Sequence, residues 1–600
     1  MMKKTAVRVL VAALCVGFGV ELKAQSVGDV QRAQRMGGFN LGNGGRPVGL
    51  MPHLSVPLIA VARAELPVLV PGQTGVLDAS RSRFPKGFIG TFQWTQIKGP
   101  MVALQGSNQS KATFAAAANA ELGFRLTINA GTNSSSDEVT VRVVPLKGVV
   151  NGDFSKIDPS GLPTGWQLAR ADDKAQVVVD AKGGEGGMPA LRITTPPISA
   201  LADKKGEYAP VQLSQSVQLE PYRIYRLRAR MRGENVQQSY LNHLSPECVG
   251  PSVGVDMWLA ESFRNPQLND KLKGTFGWTD VELDFPTMAD GTKTIYIHSG
   301  HSAGTASNAS GTVWIDNVRV EPVPDRVSMH GRHVVLFFSK MELAHLGSKR
   351  VQECVDEIDS YFDCISDLTG RGMNEKLVFF APWTWGIWAG AWSGNPVLLS
   401  GGKEELKPWY GKLRRMPFFG GHIHEISHNL GVPPVVWGEI APGTLAYYAV
   451  GELGLRGGPD QRTGMAAVRW YHREVHRMGE GAWLKERRVS QSRIQDKFML
   501  IAERAGWRRT WDAFKQVFRM VLVAQQPDNP NARLWKADVD YPSSAYTPEF
   551  VAAIKGNMWQ QFKAVFDAAS MLSGFDMWSV FTKEEVQALE ARLSHNDLGD

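Results

Sequence analysis

Cysteine is scarce in this chain of 600 residues: four in all. One of them, Cys15, sits in the extreme N-terminal segment. Cys354 and Cys364 fall in one stretch of helical pattern, Val351 to Leu368. There the helical rise puts them ~15 Å apart, beyond the ~7 Å that a bridge spans. That spacing predicts no disulfide framework, so stability must come from large cores and perhaps bound metal. Long apolar runs are missing too. The longest, Val9 to Val20, is about 12 residues, too short to span a bilayer. Charge of one sign is also lacking, since 66 Lys and Arg stand against 59 Asp and Glu, with no basic run long enough to form an arm for nucleic acid. What remains is a chain with 43% hydrophobic and 21% charged residues, a composition that excludes disorder and collagen and fits soluble folded domains. At ~100–200 residues per domain it should divide into about three or four units.

Residues 1–24 read as an export signal. Lys3 and Lys4 precede the apolar run, and Leu22-Lys23-Ala24 offers a cleavage position before Gln25. Leu14 before Cys15 is a poor fit to a lipoprotein site, which favours cleavage over a lipid anchor. Residues 25–55 are rich in Gly and carry no apolar period, as in a flexible leader.

From residue 56 to 146 the pattern is one of short alternating segments, among them Thr91-Phe-Gln-Trp94, Phe124-Arg-Leu-Thr-Ile128 and Glu138-Val-Thr-Val-Arg-Val143. Turn residues separate them, which predicts a β-sandwich. The series Leu77-Asp-Ala-Ser80, Phe92-Gln-Trp94, Gly99-Pro100 and Asp137-Glu-Val-Thr-Val141 resembles the polycystic-kidney-disease-type (PKD-type) immunoglobulin-like domain. The resemblance implies a spacer, with Trp94 in its core.

A second β-rich unit spans residues 147–323. Its ends, Asn151-Gly-Asp-Phe-Ser155 with Leu162-Pro-Thr-Gly-Trp166 and Val313-Trp-Ile-Asp-Asn-Val-Arg-Val320, look like those of a galactose-binding-like jelly roll of the carbohydrate-binding-module type. In such modules oxygen groups near the first strand and an Asp on the last often hold a structural Ca2+. Asp153 and Asp316 are the matching positions here, or they simply cap strand ends. Sugar binding and a purely structural role are both open for this unit.

Residues 324–600 turn mainly helical after two strand-like runs, Val334-Val-Leu-Phe-Phe338 and Leu377-Val-Phe-Phe380. The expected fold class is therefore multidomain: two N-terminal β-sandwiches followed by a mainly α-helical (α+β) domain. One segment stands out, Phe418-Phe-Gly-Gly-His-Ile-His-Glu-Ile-Ser-His-Asn-Leu-Gly431, which contains the pattern H-E-x-x-H as His424-Glu425-Ile426-Ser427-His428. On a helix, residues four apart differ by only ~40° in direction, so both imidazoles can meet one zinc ion while Glu425 reaches a water on it. Gly431 can end the helix and Pro433-Pro434 forbids its continuation. His472 and His476 share the spacing but are followed by Arg473 rather than an acid, and His422 points away from the pair.

The third ligand sets the subclass. A three-His site fails because Pro434 stands where the last His belongs. A carboxylate must complete the set; Glu439, ten residues beyond His428, is favoured over the more distant Glu452. The run His424-Glu-Ile-Ser-His-Asn429, Trp437-Gly-Glu439 and Leu445-Ala-Tyr-Tyr448, with Trp388-Ala-Gly-Ala-Trp-Ser-Gly-Asn-Pro-Val397 upstream and Phe498 to Trp507 and Trp511 to Phe518 downstream, resembles the enhancin and mucin-degrading metallopeptidase family. What the resemblance implies is a zinc endopeptidase with His424, His428 and Glu439 as metal ligands and Glu425 as general base. Its substrates would be mucins and other O-glycosylated proteins. A family tyrosine does not map securely to Tyr447 or Tyr448. Thirteen of the 18 Trp lie at or after Trp383. Of these Trp385, Trp388 and Trp392 are candidates to pack on sugar faces, with core burial the plainer alternative. Nucleic acid and a membrane span are not expected. Two other readings stay open: a glycan-binding adhesin with an inactive peptidase-like domain, and a general zinc protease with no glycan requirement.

Overall fold

A computed structural model describes residues 58–594, leaving aside 86–89, 116–118, 171–174, 196–210, 238, 242–244, 250–251, 256–271, 300–309, 374, 381–390, 393, 400–419, 431–439, 455, 458–461, 464–490 and 528–544. The signal and leader segments thus lie outside the described residues. Among those described, no helix is long and apolar enough to cross a membrane.

The first unit is a sandwich of two sheets. Strands β1 (Arg63–Ala64), β3 (Thr74–Asp78) and β5 (Lys111–Ala115) form one, and β2 (Val68–Leu69), β7 (Asn133–Val143), β6 (Ala120–Ala130) and β4 (Thr91–Lys98) the other. Period-two alternation places Leu122, Phe124, Leu126 and Ile128 inward, where they surround Trp94, which is 1% exposed. Gly75 is required here, because a Cβ would fall 2.3 Å from the Phe114 ring.

A second sandwich follows. Its five-stranded sheet runs β16 (Gly274–Pro286), β12 (Ile224–Gln237), β18 (Ser310–Pro322), β10 (Ala190–Thr195), β9 (Gln176–Asp180), and its four-stranded sheet runs β15 (Ser252–Val255), β17 (Thr292–His298), β11 (Gln212–Gln218), β8 (Gln167–Arg170). A hairpin, β13 (Ser239–Leu241) with β14 (Ser245–Val249), interrupts the order. On β12 the alternation is strict: Leu227, Ala229 and Met231 enter the core while Arg226, Arg228, Arg230 and Arg232 line the outer face. There Arg226 grips the fully buried Asp284 through two hydrogen bonds, Nε to Oδ1 at 2.6 Å and Nη2 to Oδ2 at 2.9 Å. Arg232 lies on the Trp314 ring at 3.8 Å.

The third unit is built on a mixed sheet, β19 (Arg326–His330), β20 (Val334–Ser339), β21 (Leu377–Phe380), β23 (Val397–Leu399), β22 (Ala391–Trp392), with β20, β21 and β23 parallel. Every residue of β20 and β21 is buried. Continuous apolar runs such as these mark strands covered on both faces. Val334, Leu336, Phe338, Leu377 and Phe379 point into the helical core, whereas Val335, Phe337, Val378 and Phe380 join the core of the second sandwich. The jelly roll and the helical region therefore share one sheet between them.

Helices cover the far face. Helix α1 (Lys340–Leu346) opens with a capping box of Ser339 and Glu342, and α2 (Ser348–Thr369) stops at Gly370 in the left-handed conformation. Cys354 and Cys364 are buried free thiols on α2. Then come α3 (Gly420–Leu430), α4 (Ile440–Glu452), α5 (Gln491–Ala505), α6 (Trp507–Gln525), α7 (Pro548–Ile554), α8 (Met558–Ser573) and α9 (Lys583–Ser594). The architecture of two β-sandwiches followed by a mainly helical region agrees with the sequence pattern. The spacer role implied for the first sandwich does not describe its contacts. Its Arg63 Nη2 donates to the Met373 carbonyl, its Arg81 Nη2 lies 3.2 Å from His333 Nδ1, and its Leu66 packs on the jelly-roll core.

Candidate functional site

Helix α3 carries the H-E-x-x-H segment. Its buried stripe, Ile423, Ile426, Ser427 and Leu430, faces the helical core, and Ser427 satisfies its hydroxyl by donating to the Ile423 carbonyl at 2.7 Å. Opposite that stripe, His424 and His428 are half-buried, with their rings edge-to-face at 4.8 Å and their Nε2 atoms 3.1 Å apart. Two nitrogens each ~2.0–2.1 Å from a common ion and 3.1 Å apart subtend roughly 98° at it, near the tetrahedral preference of zinc. The pair thus fits two corners of such a site. Glu425 lies between them along the chain and is 5% exposed. Asn429 Nδ2 donates to the Glu425 carbonyl at 2.9 Å, which steadies the last turn.

Glu439, expected as third ligand, lies outside the described residues, directly before Ile440, where α4 begins. So do Trp385, Trp388, His472 and His476, and of Trp392 only the backbone, in β22, is described. The competing acid, Glu452, ends α4; it is exposed and accepts from Trp507 Nε1 at 3.1 Å. Among the described residues no group of three or more His, Cys, Asp or Glu is gathered for a metal, so Glu452 does not join the His pair. Tyr448 is buried between Trp507 and Trp511, and burial pushes its hydroxyl well above the usual range. It reads as a core residue. His422 is buried on the far side of the helix from His424, against Phe379.

The jelly roll brings Asp153 and Asp316 to one cavity of about 310 Å³. Gly152 makes this possible: a Cβ there would lie 1.8 Å from the Val318 carbonyl of β18. On β18 the register shifts near Asn317, which has a φ of 54°, and the strand turns Asp316 toward the cavity. Asn317 N donates to Asp316 Oδ1 at 2.6 Å, and Asp153 Oδ1 accepts from the Ser155 hydroxyl at 3.1 Å. Burial raises the Asp316 carboxyl above its ordinary value, and the negative charges of Asp153 and Glu185 add to the shift against two backbone N–H donors. Sequence reasoning missed Glu185 and Arg230, which also line this cavity and pair with each other. The run Gly183-Gly-Glu-Gly-Gly187 was the available signal for the first; nothing local marked the second. As they stand, these acids do not form a closed metal cluster.

A third feature was not read from the sequence. On β17, Ile295 and Ile297 face the core, so Tyr296 and His298 lie on the opposite face of the four-stranded sheet, rings 5.5 Å apart. Cross-strand partners on β11 are Ser214 beside Tyr296 and Gln212 beside His298.

Comparisons with known proteins reach the β-rich half. A family of PKD domains matches residues 62–143. The PKD domain from KIAA 1837 protein, solved in solution, is similar at 26% identity over 16% of this chain and 93% of its own, with a TM-score of 0.14. TmCBM61, solved in complex with β-1,4-galactotriose, is similar at 17% identity over 30% of this chain and 99% of its own, TM-score 0.18. A nucleoside hydrolase-related hypothetical protein from Saccharophagus degradans, associated with carbohydrate metabolism, is similar at 18% identity; 14% of this chain aligns with 25% of that one, TM-score 0.13. No curated protein matches the chain.

Proposed function

We propose that this chain is an exported zinc endopeptidase that hydrolyses peptide bonds in O-glycosylated proteins. The observation that carries the reading is the convergence of His424 and His428 Nε2 atoms to 3.1 Å on a helix that also bears the buried Glu425. His424, His428 and Glu439 would hold the ion. When bound, zinc supplies a water acidified to a pKa of ~7. Glu425 accepts a proton from that water at its carboxylate and returns it to the leaving nitrogen, a role for which burial beside the pair suits it. The direction toward mucin-like substrates comes from the family resemblance of the helical region, and the export from the N-terminal segment.

The test uses the full chain, its metal content and a defined O-glycopeptide. Glu425→Gln should keep zinc and lose cleavage; a variant that cuts as fast as the parent removes Glu425 as base. Equal cutting of one glycoprotein before and after enzymatic deglycosylation would leave a general zinc protease.

A second reading has its own support. The PKD-type match and the Tyr296 and His298 rings, set among short hydroxyl and amide side chains, suit a glycan-binding protein whose helical domain is inert. Retention on immobilised mucin glycans that falls with Tyr296→Ala, with no cleavage by the zinc-loaded parent, would favour it.

A further inference from the structure

We propose that His422 is a positioning residue for the metal site, fixing the rotation of α3 by lying on Phe379 of the shared sheet. This rests on the zinc reading above. His422 is 2% exposed, and its ring lies on that of Phe379, itself wholly buried, with centroids 5.0 Å apart and planes at 33°. Along the helix it precedes His424 by two residues and Glu425 by three. At ~100° per residue its direction is therefore about 160° from His424 and about 60° from Glu425. His422 flanks the buried stripe on the side where Glu425 emerges.

The rest of that stripe is Ile423, Ile426 and Leu430, side chains that pack without directional preference and tolerate small rotations. Two flat rings in contact do not. An imidazole nitrogen roughly 6 Å from the helix axis moves about 1 Å for a rotation of ~10°. A displacement of about 1 Å is enough to cost ~100-fold where reacting groups must be aligned. Because Phe379 belongs to β21, whose next residue Phe380 enters the jelly-roll core, the contact ties the orientation of His424 and His428 to the sheet both units share. The polar ring is thus placed by packing, where sequence reasoning could only say that it pointed away.

The experiment compares His422→Ala, His422→Phe and Phe379→Leu in the full chain, each checked by far-ultraviolet circular dichroism. Zinc affinity is measured by chelator competition, and kcat and KM on one O-glycopeptide. His422→Ala should weaken zinc by ~10–100-fold, the range seen when outer partners of a metal site are lost. It should lower kcat while KM stays within about threefold. His422→Phe, which keeps a flat ring, should restore both to near the parent. Parent-like zinc affinity in His422→Ala or in Phe379→Leu overturns the proposal, as does His422→Phe being as weak as His422→Ala. If His422→Ala does not fold, Phe379→Leu against His422→Phe decides by the same criteria. A parent protein that takes up no zinc sinks the functional reading itself, a result distinct from all of these.

Discussion

Phe337 and Phe338 are neighbours on β20, and Phe379 and Phe380 on β21, yet each pair divides between two cores. Phe337 and Phe380 are 3% and 0% exposed within the jelly-roll core; Phe338 and Phe379 are 1% and 0% exposed within the helical one. Truncating a buried Phe to Ala costs about 3–5 kcal/mol through lost transfer energy and the cavity left behind. All four variants should therefore be strongly destabilised, but in different places. In Phe337→Ala and Phe380→Ala, amide exchange should accelerate in sandwich strands β12 and β17 as well as in the shared sheet. In Phe338→Ala and Phe379→Ala it should accelerate in α2 and α6. Hydrogen exchange with mass spectrometry, alongside chemical denaturation, reads both quantities. A jelly roll that merely hangs from the helical region would respond differently: Phe337→Ala and Phe380→Ala would fall within ~0.5 kcal/mol of the parent, as exposed positions do. That outcome would refute the shared core.

Arg226→Met should cost about 3–5 kcal/mol in denaturant melts, because it strands the wholly buried Asp284; adding Asp284→Leu should recover most of the loss, and no recovery would mean the pair itself stabilises the sheet. The Asp316 carboxyl sits above its ordinary value, so between its unfolded and folded titrations the native state holds the extra proton and stability falls as pH rises through that window. Asp316→Asn should flatten this slope in metal-free buffer, and an unchanged slope would clear Asp316 of the effect. Should Ca2+ bind at Asp153 and Asp316, a hundredfold excess over Kd adds about 2.7 kcal/mol to the parent and nothing to Asp316→Asn, seen as a calcium-dependent melting temperature. Stripping the protein with a chelator should abolish cleavage of an O-glycopeptide and zinc should restore it; cleavage that survives in fully zinc-free protein excludes the metal mechanism.

Much of the architecture was legible because it is written in local period. The alternation of β6 and β12, the all-apolar runs of β20 and β21 and the stripe on α2 each follow from which side of a strand or helix meets water. Trp94 was recognisable as core for the same reason. The acidic cavity was half legible: Asp153 and Asp316 stand in motifs at the two ends of the jelly roll, but Glu185 and Arg230 enter it from β-strand neighbours that no local pattern announces. Tyr296 and His298 were missed because a Tyr-x-His pair on an alternating strand looks like any other half-buried surface until the face it occupies is known.

The sequence by itself determined the chemistry that α3 can offer, since two His four residues apart on any helix share a side and carry Glu425 with them. Only the tertiary structure decided how that helix is turned, by seating His422 on Phe379, and that one sheet serves two cores. The difference is one of range: helical and strand periods act over a few residues, whereas the fit of a ring against a distant strand depends on contacts that the chain acquires only when it is packed.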